Sequence, residues 1–201
     1  MITPHIILAI AWILYCILHS VLASSKFKQA AEQWMGKQFK FYRLYYIIFA
    51  FAGLAAIIIY PFTFASYKFF VITNTSIISG IMVTAAGLII MSVCILKYFM
   101  QLSGLKGLIE KKTNNELMIT GIHQFVRHPL YTGTFVFIWG LFIILPSISM
   151  LIIDVIVTVY TLIGLQFEEK KLEKEFGAAY KLYKQKVPML IPDLSQFLNS
   201  F

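Results

Sequence analysis

The chain has 201 residues, of which 59% are apolar and only 13% are charged, and its mean hydropathy is +0.79. Soluble domains carry about 45–50% apolar and about 25% charged residues, so this composition excludes both a soluble globule and a disordered chain. With only two cysteines, the chain has no disulfide framework and no cysteine-rich metal site. The composition predicts an all-α integral membrane protein.

Five stretches have the hydrophobicity of a membrane-spanning helix, which needs about 20 apolar residues. They are Ile6–Leu22, Tyr45–Phe64, Ile77–Leu96, Leu130–Leu145 and Ile148–Phe167. Only Pro146 and Ser147 separate the last two stretches, which predicts a tight C-terminal helical hairpin. Because the apolar runs are continuous and do not alternate, neither strands nor a barrel are expected.

The basic residues predict the orientation of these spans. The segments after spans one to five contain 5, 1, 5, 0 and 6 lysines and arginines, which account for all 17. Since basic residues concentrate in cytoplasmic loops, we expect the N-terminus outside and the C-terminus in the cytosol. The net charge of +8 follows mostly from this topology, and no nucleic-acid partner is predicted. In a bacterium the membrane would be the cytoplasmic one.

The first span could be mistaken for a cleaved signal peptide, because Ala23-Ser24-Ser25 follows it. The residues before it contain no lysine or arginine, whereas a signal peptide begins with a positively charged region. An uncleaved span also preserves the charge alternation, and we expect it to be retained.

Polar side chains within the spans are candidates for chemistry. Asp154 lies near the outer end of the fifth span, which favours a partly solvated or protonated carboxyl group, since no second carboxylate is available for a proton relay. His19 has no partner histidine at comparable depth, so a haem is not expected, and no clustered ligands predict a metal. Cys16 and Cys94 are interpreted as small apolar residues.

Charged residues flank the predicted C-terminal hairpin. Arg127 and His128 precede it, and Glu168 and Glu169 follow it. Because antiparallel helices joined by a short turn end at the same face, we expect these residues to lie close together. Pro129 suits the first helical position, where N–H groups can bind an anion. A cation and two carboxylates suit a zwitterion such as S-adenosylmethionine, although by spacing alone an ordinary surface salt bridge is favoured.

The segment after Glu168 has apolar residues at helical spacing. They are Leu172, Phe176, Tyr180, Tyr183 and Val187, in steps of four, four, three and four residues. This pattern predicts a cytosolic amphipathic tail helix that lies on the membrane or caps the hairpin and ends near Val187-Pro188. Its role is either that of a membrane anchor or that of a lid over a cofactor.

The C-terminal part of the chain resembles the isoprenylcysteine carboxyl methyltransferase superfamily of integral membrane enzymes. The matching motifs are Arg127-His128-Pro129-Leu130-Tyr131-Thr132-Gly133, Glu168-Glu169-Lys170-Lys171-Leu172, Phe176-Gly177-Ala178-Ala179-Tyr180, Tyr183, Val187-Pro188 and Ile191-Pro192. Features of the N-terminal part and of the later spans are similar to the bacterial methanethiol S-methyltransferase-like branch. They are His19-Ser20, Phe41-Tyr42-Arg43-Leu44-Tyr45-Tyr46, Trp139-Gly140 and Ile163-Gly164.

The resemblance implies a single membrane domain over residues 1–201 that uses S-adenosylmethionine. Residues 1–100 would form the substrate side and residues 115–192 the cofactor-binding core. The implied cofactor contacts come from Glu116, Leu117, Met118, His123, His128, Pro129, Leu130, Tyr131, Glu168 and Glu169. Catalytic roles are implied for Arg127, His128 and Glu168, and substrate contacts are expected from His19 and Arg43.

The methyl acceptor is predicted from one departure from the superfamily. Gly164 stands where the prenylcysteine branch has an arginine that holds the substrate carboxylate, which favours an acceptor without a carboxylate, such as methanethiol. A thiol needs a modest push toward thiolate, which Arg127, Arg43 or a nearby histidine could supply. Carboxyl methylation of isoprenylcysteine-like substrates and lipid methylation are the alternatives, and a non-enzymatic subunit of a membrane complex is an alternative of another class.

Overall fold

The structure is a computed structural model that describes residues 2–102 and 117–193, with side chains for all of these except 97–102. Its helices are α1 (Thr3–Ala23), α2 (Ser25–Met35), α3 (Tyr42–Ile59), α4 (Asn74–Leu102), α5 (Pro129–Ile144) and α6 (Ile148–Lys186). Short 3₁₀ helices lie at Gly36–Phe41, Tyr60–Thr63 and Gly121–Gln124. The all-α prediction is confirmed for the described residues, in which the only bridge of β type joins Lys68 and Ser147.

Within residues 2–102 and 117–193, four segments are long and apolar enough to cross a membrane, which supports a multi-pass integral membrane protein. They are Thr3–Ala23, Ser25–Thr63, Asn74–Leu96 and Ile148–Lys186. The fourth predicted span corresponds to α5, whose 16 residues extend about 24 Å and fall short of the usual length. The described residues therefore contain four candidate spans where the sequence predicts five. The predicted orientation stays a prediction.

One helix was not predicted from the sequence. The segment after α1 forms α2, which begins where the Ser24 hydroxyl accepts a hydrogen bond from the Phe27 N–H at 3.2 Å. Serine is a favoured N-cap because its side chain satisfies a helix N–H that has no carbonyl partner. The polar composition of α2 concealed it from a search for apolar runs.

The chain divides into two compact units, of which the first comprises Met1–Val71 and Leu145–Tyr160. Its core consists of Leu8, Trp12 and Cys16 from α1 with Ile153 from α6. Asp154 is also buried here, with 1% of its surface exposed. Of the two expected alternatives, burial contradicts the partly solvated carboxyl group, and the protonated one stays a prediction. The Oδ2 atom of Asp154 has no hydrogen-bond partner among the described residues.

The second unit comprises Ile72–Ile144 and Thr161–Phe201, and in it α4 packs along α5. The two backbones approach closely at glycines. A Cβ atom at Gly87 would lie 2.5 Å from the backbone nitrogen of Phe137 and 2.8 Å from the carbonyl oxygen of Gly133. Close approach at small residues is how membrane helices gain packing contacts, since lipid supplies no hydrophobic drive for their association.

We expect Gly87→Ala to destabilise the second unit by about 1–3 kcal/mol, because the added methyl group meets backbone that has no rotamer to change. The measurement is the thermal unfolding midpoint in detergent. Gly164→Ala in α6 is the matched control, since a Cβ atom there meets nothing within 4 Å. The control should be neutral or stabilising, because alanine is favoured over glycine in helices by about 1 kcal/mol. Equal midpoints for the two variants would contradict the packing described.

Candidate functional site

The segment before α5 is hydrogen-bonded to residues 187–190, which follow the end of α6. The backbone N–H groups of Arg127 and His128 donate to the carbonyl oxygens of Pro188 and Met189, at 2.9 and 3.1 Å. The Thr132 hydroxyl donates to the Leu190 carbonyl at 2.7 Å, and Arg127 Nη1 donates to the Val187 carbonyl at 2.6 Å. Four successive carbonyl groups, of residues 187–190, are therefore bonded to the start of α5.

The helix α6 reverses direction at Gly177, where φ is 55° and ψ is −125°. A positive φ is strained for residues with a Cβ atom, and glycine adopts it readily. The reversal brings together residues eleven positions apart: the Tyr180 hydroxyl lies 2.8 Å from Glu169, and Lys184 Nζ lies 2.7 Å from Glu173. In a continuous helix, residues eleven apart are separated by about 16 Å along the axis.

This reversal corrects the predicted tail helix. Leu172 and Phe176 lie before the break, whereas Tyr180, Tyr183 and Val187 lie after it, and all five pack together with Leu117. The apolar residues were grouped correctly, but they form the interior of two helical segments folded against each other and not a stripe on one helix. The helix ends at Lys186, as the predicted end near Val187-Pro188 requires.

The carboxylate of Glu169 is the centre of the site. Its Oε1 atom accepts hydrogen bonds from Arg127 Nε (2.9 Å), His128 Nε2 (2.8 Å) and the Tyr180 hydroxyl (2.8 Å). Its Oε2 atom accepts from Arg127 Nη2 (3.2 Å) and Lys184 Nζ (3.0 Å). Five donors exceed the roughly four lone-pair sites of a carboxylate, so Glu169 has no capacity left for a ligand.

Two opposing effects set the pKa of Glu169. The side chain is buried, which raises the pKa, but hydrogen bonds from Arg127, His128, Lys184 and Tyr180 outweigh burial and lower the pKa to about 2. Burial and the hydrogen bond to Glu169 raise the pKa of Tyr180 and outweigh the lowering effect of Arg127. Glu169 is therefore an anion at neutral pH, and Tyr180 keeps its proton and donates it to the hydrogen bond.

Arg127 is fully engaged within the protein. Its Nε and Nη2 atoms donate to Glu169, and its Nη1 atom donates to the carbonyl groups of Val187 and Lys184, at 2.6 and 3.3 Å. Only 9% of its surface is exposed. The expected proximity of Arg127 to the glutamate pair is confirmed, but its guanidinium group holds the protein together and does not face outward toward an anionic ligand.

Glu168 differs from its neighbour. It is half-buried, and its Oε2 atom accepts a hydrogen bond from the Tyr131 hydroxyl at 2.9 Å. No other donor contacts this carboxylate among the described residues. Adjacent positions on a helix point about 100° apart, which separates the two glutamates: Glu169 points into the buried network, and Glu168 retains lone pairs for a ligand.

The other predicted cofactor residues are distributed around this network. His123 Nδ1 contacts the Arg127 carbonyl oxygen at 3.1 Å, and the His123 carbonyl accepts from Tyr183 at 2.6 Å. Leu117 packs on the tail cluster and Met118 is half-buried, whereas Glu116 lies outside the described residues. Pro129 and Leu130 begin α5 as predicted.

The two predicted substrate residues belong to the first unit. The ring nitrogens of His19 lie 3.2 and 3.3 Å from the Tyr46 hydroxyl, and Tyr15 stacks on the His19 ring. Arg43 is exposed near the start of α3. A substrate role for either residue stays a prediction.

Two residues of the site were missed by sequence reasoning. Lys184 had no predicted role, and Tyr180 was counted only as an apolar member of the stripe. The available sign was their spacing, since positions i and i+4 share a helix face and present an ammonium group and a hydroxyl group together. Their partner could not be identified without the reversal at Gly177.

The residues present fit a zwitterionic cofactor. The half-buried carboxylate of Glu168 can accept from an ammonium group or from sugar hydroxyls. The N–H group of Leu130, in the first turn of α5, has no carbonyl partner within the helix and can donate to a carboxylate. No group of three histidine, cysteine, aspartate or glutamate side chains that could hold a metal occurs in the part of the chain that the structure describes.

Comparison with known proteins identifies the family of the chain and several of its relatives. The family model described as phospholipid methyltransferase matches residues 76–179. The chain is 28% identical to a methanethiol S-methyltransferase of Crocosphaera subtropica, over 89% of this chain and 71% of that protein, and 30% identical to methanethiol S-methyltransferase 1 of Bradyrhizobium diazoefficiens, over 89% and 64%.

A shorter match is to the protein-S-isoprenylcysteine O-methyltransferase of Schizosaccharomyces pombe, 33% identical over 41% of this chain and 36% of that protein. The chain spans about two thirds of the length of the two bacterial relatives. No solved structure matches it.

Proposed function

Because the chain belongs to the phospholipid methyltransferase family, we propose that this membrane methyltransferase transfers a methyl group from S-adenosylmethionine to a small thiol, with methanethiol as the first candidate. The charge alternation of the loops supports a site on the cytosolic side, where the cofactor is made. Methanethiol is the first candidate acceptor because the two bacterial relatives are named methanethiol S-methyltransferases.

The observation that carries the proposal is the difference between the hydrogen-bond partners of the two adjacent glutamates. Glu169 is saturated by protein donors, whereas Glu168 beside it is half-buried and accepts only from Tyr131 among the described residues. A membrane scaffold does not require an available carboxylate beside a buried ionic network. Such a carboxylate can instead pair with the ammonium group of a cofactor.

The chain's own residues would mainly bind and orient the reactants. S-adenosylmethionine supplies an activated methyl group on a sulfonium sulfur, so no covalent nucleophile on the protein is needed. Glu168 and Tyr131 would hold the cofactor, while the bonds from Arg127 to residues 184 and 187 fix the tail next to the start of α5. Holding two reactants in line supplies much of the rate enhancement of such a displacement.

The first experiment measures methyl transfer from isotopically labelled S-adenosylmethionine by detergent-purified protein. Methanethiol, a farnesylcysteine carboxylate and phosphatidylethanolamine are supplied in parallel, and each methylated product is identified by mass spectrometry. We expect dimethyl sulfide from methanethiol and little product from the other two acceptors. Methylation of the farnesylcysteine or the lipid alone would replace the thiol assignment, and no product from a folded protein that binds adenosylhomocysteine would overturn it.

A further inference from the structure

We propose that His128 is the general base that deprotonates the thiol acceptor, with Nδ1 as the proton-accepting atom and Glu169 as the residue that fixes its tautomer. The inference rests on the proposed function, because a carboxylate or a sulfide acceptor has no proton to lose. It adds the residue and the atom that the chemistry of a thiol requires.

The hydrogen bond to Glu169 determines the tautomer of His128. His128 Nε2 lies 2.8 Å from Glu169 Oε1, and both side chains are about 95% buried. An ionised carboxylate only accepts hydrogen bonds, so Nε2 must carry the hydrogen. A neutral imidazole that is protonated on Nε2 has its lone pair on Nδ1, which is the atom that can take a proton. The backbone N–H of His128 donates to the Met189 carbonyl oxygen at 3.1 Å, which fixes the position of the backbone that carries the ring.

The other polar groups at the site are unsuited to act as the base. The guanidinium of Arg127 does not lose its proton in proteins, and its nitrogens are bound internally. The Tyr131 and Tyr180 hydroxyls already donate to Glu168 and Glu169. His128 thus combines an orientation fixed by Glu169 with a ring nitrogen, Nδ1, that can accept a proton.

Charged and titratable side chains from several segments of the chain surround His128. Its own segment contributes Arg127, α6 contributes Glu168 and Glu169 with Glu173 behind them, and the segment after Gly177 contributes Lys184 and Tyr180. The Tyr131 ring of α5 lies 6.0 Å from the imidazole. Glu169 stabilises the imidazolium form in the same way that it positions the neutral one.

The proposed step balances in atoms and charge. The S–H bond of the thiol breaks and its proton moves to Nδ1 of His128. The thiolate sulfur forms a bond to the methyl carbon, and the bond from that carbon to the sulfonium sulfur breaks with its electron pair staying on the departing adenosylhomocysteine. His128 then releases the proton to solvent, so each turnover yields one thioether and one proton.

The test is His128→Gln, because the glutamine amide can still donate to Glu169 but has no basic nitrogen. Because the resemblance also implies a cofactor contact for His128, wild type and variant are compared at saturating S-adenosylmethionine. Turnover of the variant with an alkanethiol should fall by about 10²–10⁴, the usual contribution of a general base. With an arenethiol that is already ionised at pH 7, the loss should shrink to about tenfold or less, because no proton remains to be removed.

A loss of equal size with both thiols would assign His128 a structural role and overturn the proposal, as would unchanged turnover of the alkanethiol. If the variant does not fold, the wild-type pH profile decides. If a protein base removes the proton, kcat reaches half of its maximum at the same pH for two thiols of different acidity. If no protein base takes part, the pH of half-maximal kcat follows the pKa of each thiol. A different result would overturn the proposed function, namely that the wild-type protein methylates no thiol at all.

Discussion

Glu169→Ala is expected to lower the free energy of unfolding by about 3–5 kcal/mol and to abolish methyl transfer. The substitution leaves the buried guanidinium of Arg127 without its carboxylate, and removing one partner of a buried ion pair costs about this much. It also leaves Tyr180 and His128 without their acceptor. For a chain of this size each kcal/mol corresponds to about 2–4 °C in the thermal midpoint, which is measured in detergent by the loss of helical circular dichroism.

Glu173→Ala is the matched control for this loss. Glu173 also contacts Lys184, at 2.7 Å, but its side chain is 35% exposed. Exposed ion pairs contribute about 1 kcal/mol or less, so the control should keep both stability and activity. Similar midpoints for Glu169→Ala and Glu173→Ala would show that the buried network does not hold the C-terminal core.

Acid should release the same interaction in the wild-type protein. The pKa of Glu169 is lowered from an ordinary 4.5 to about 2, so its contribution to stability is complete above about pH 4.5 and is lost as the pH falls through 2. The thermal midpoint of the wild type should therefore fall more steeply than that of Glu169→Gln over this pH range. Parallel slopes would contradict the lowered pKa.

Glu168→Gln should weaken adenosylhomocysteine binding by roughly 30- to 150-fold with little change in stability. The variant keeps the size of the side chain and removes the charge that we propose pairs with the ammonium group, a loss worth about 2–3 kcal/mol. Stability should change by less than about 1 kcal/mol, because among the described residues only the Tyr131 hydroxyl donates to this carboxylate. Calorimetric titration of detergent-purified protein measures the affinity.

Glu175→Gln removes an exposed carboxylate from the same helix and serves as the control for charge. It should bind adenosylhomocysteine as the wild type does. Wild-type affinity in Glu168→Gln would remove this residue from the cofactor site. A combined loss of affinity and of thermal stability would instead make Glu168 part of the structural network. The contrast with Glu169→Ala separates binding from positioning in two adjacent residues.

Much of the fold could be predicted because the determining information is local. Apolar runs in α1, α3, α4 and α6 are long enough to identify each helix by itself, since a lipid environment requires every backbone group to be bonded within its own helix. The helix α2 was missed because it is polar, so a search for apolar runs does not detect it, and because its start depends on a serine cap. The number of candidate spans differs from the prediction because α5 has only 16 residues.

The sequence by itself determined an all-helical membrane protein of this methyltransferase family and the meeting of Arg127 with the glutamate pair, because composition and the order of motifs carry that information. Only the tertiary structure decided which glutamate keeps lone pairs for a ligand among the described residues. A spacing of four, four, three and four residues fits one long helix and two folded segments equally well, and the positive φ of Gly177 selects the second. That reversal brings Tyr180 and Lys184 onto Glu169 and leaves Glu168 available, a distinction that depends on contacts between residues distant in sequence.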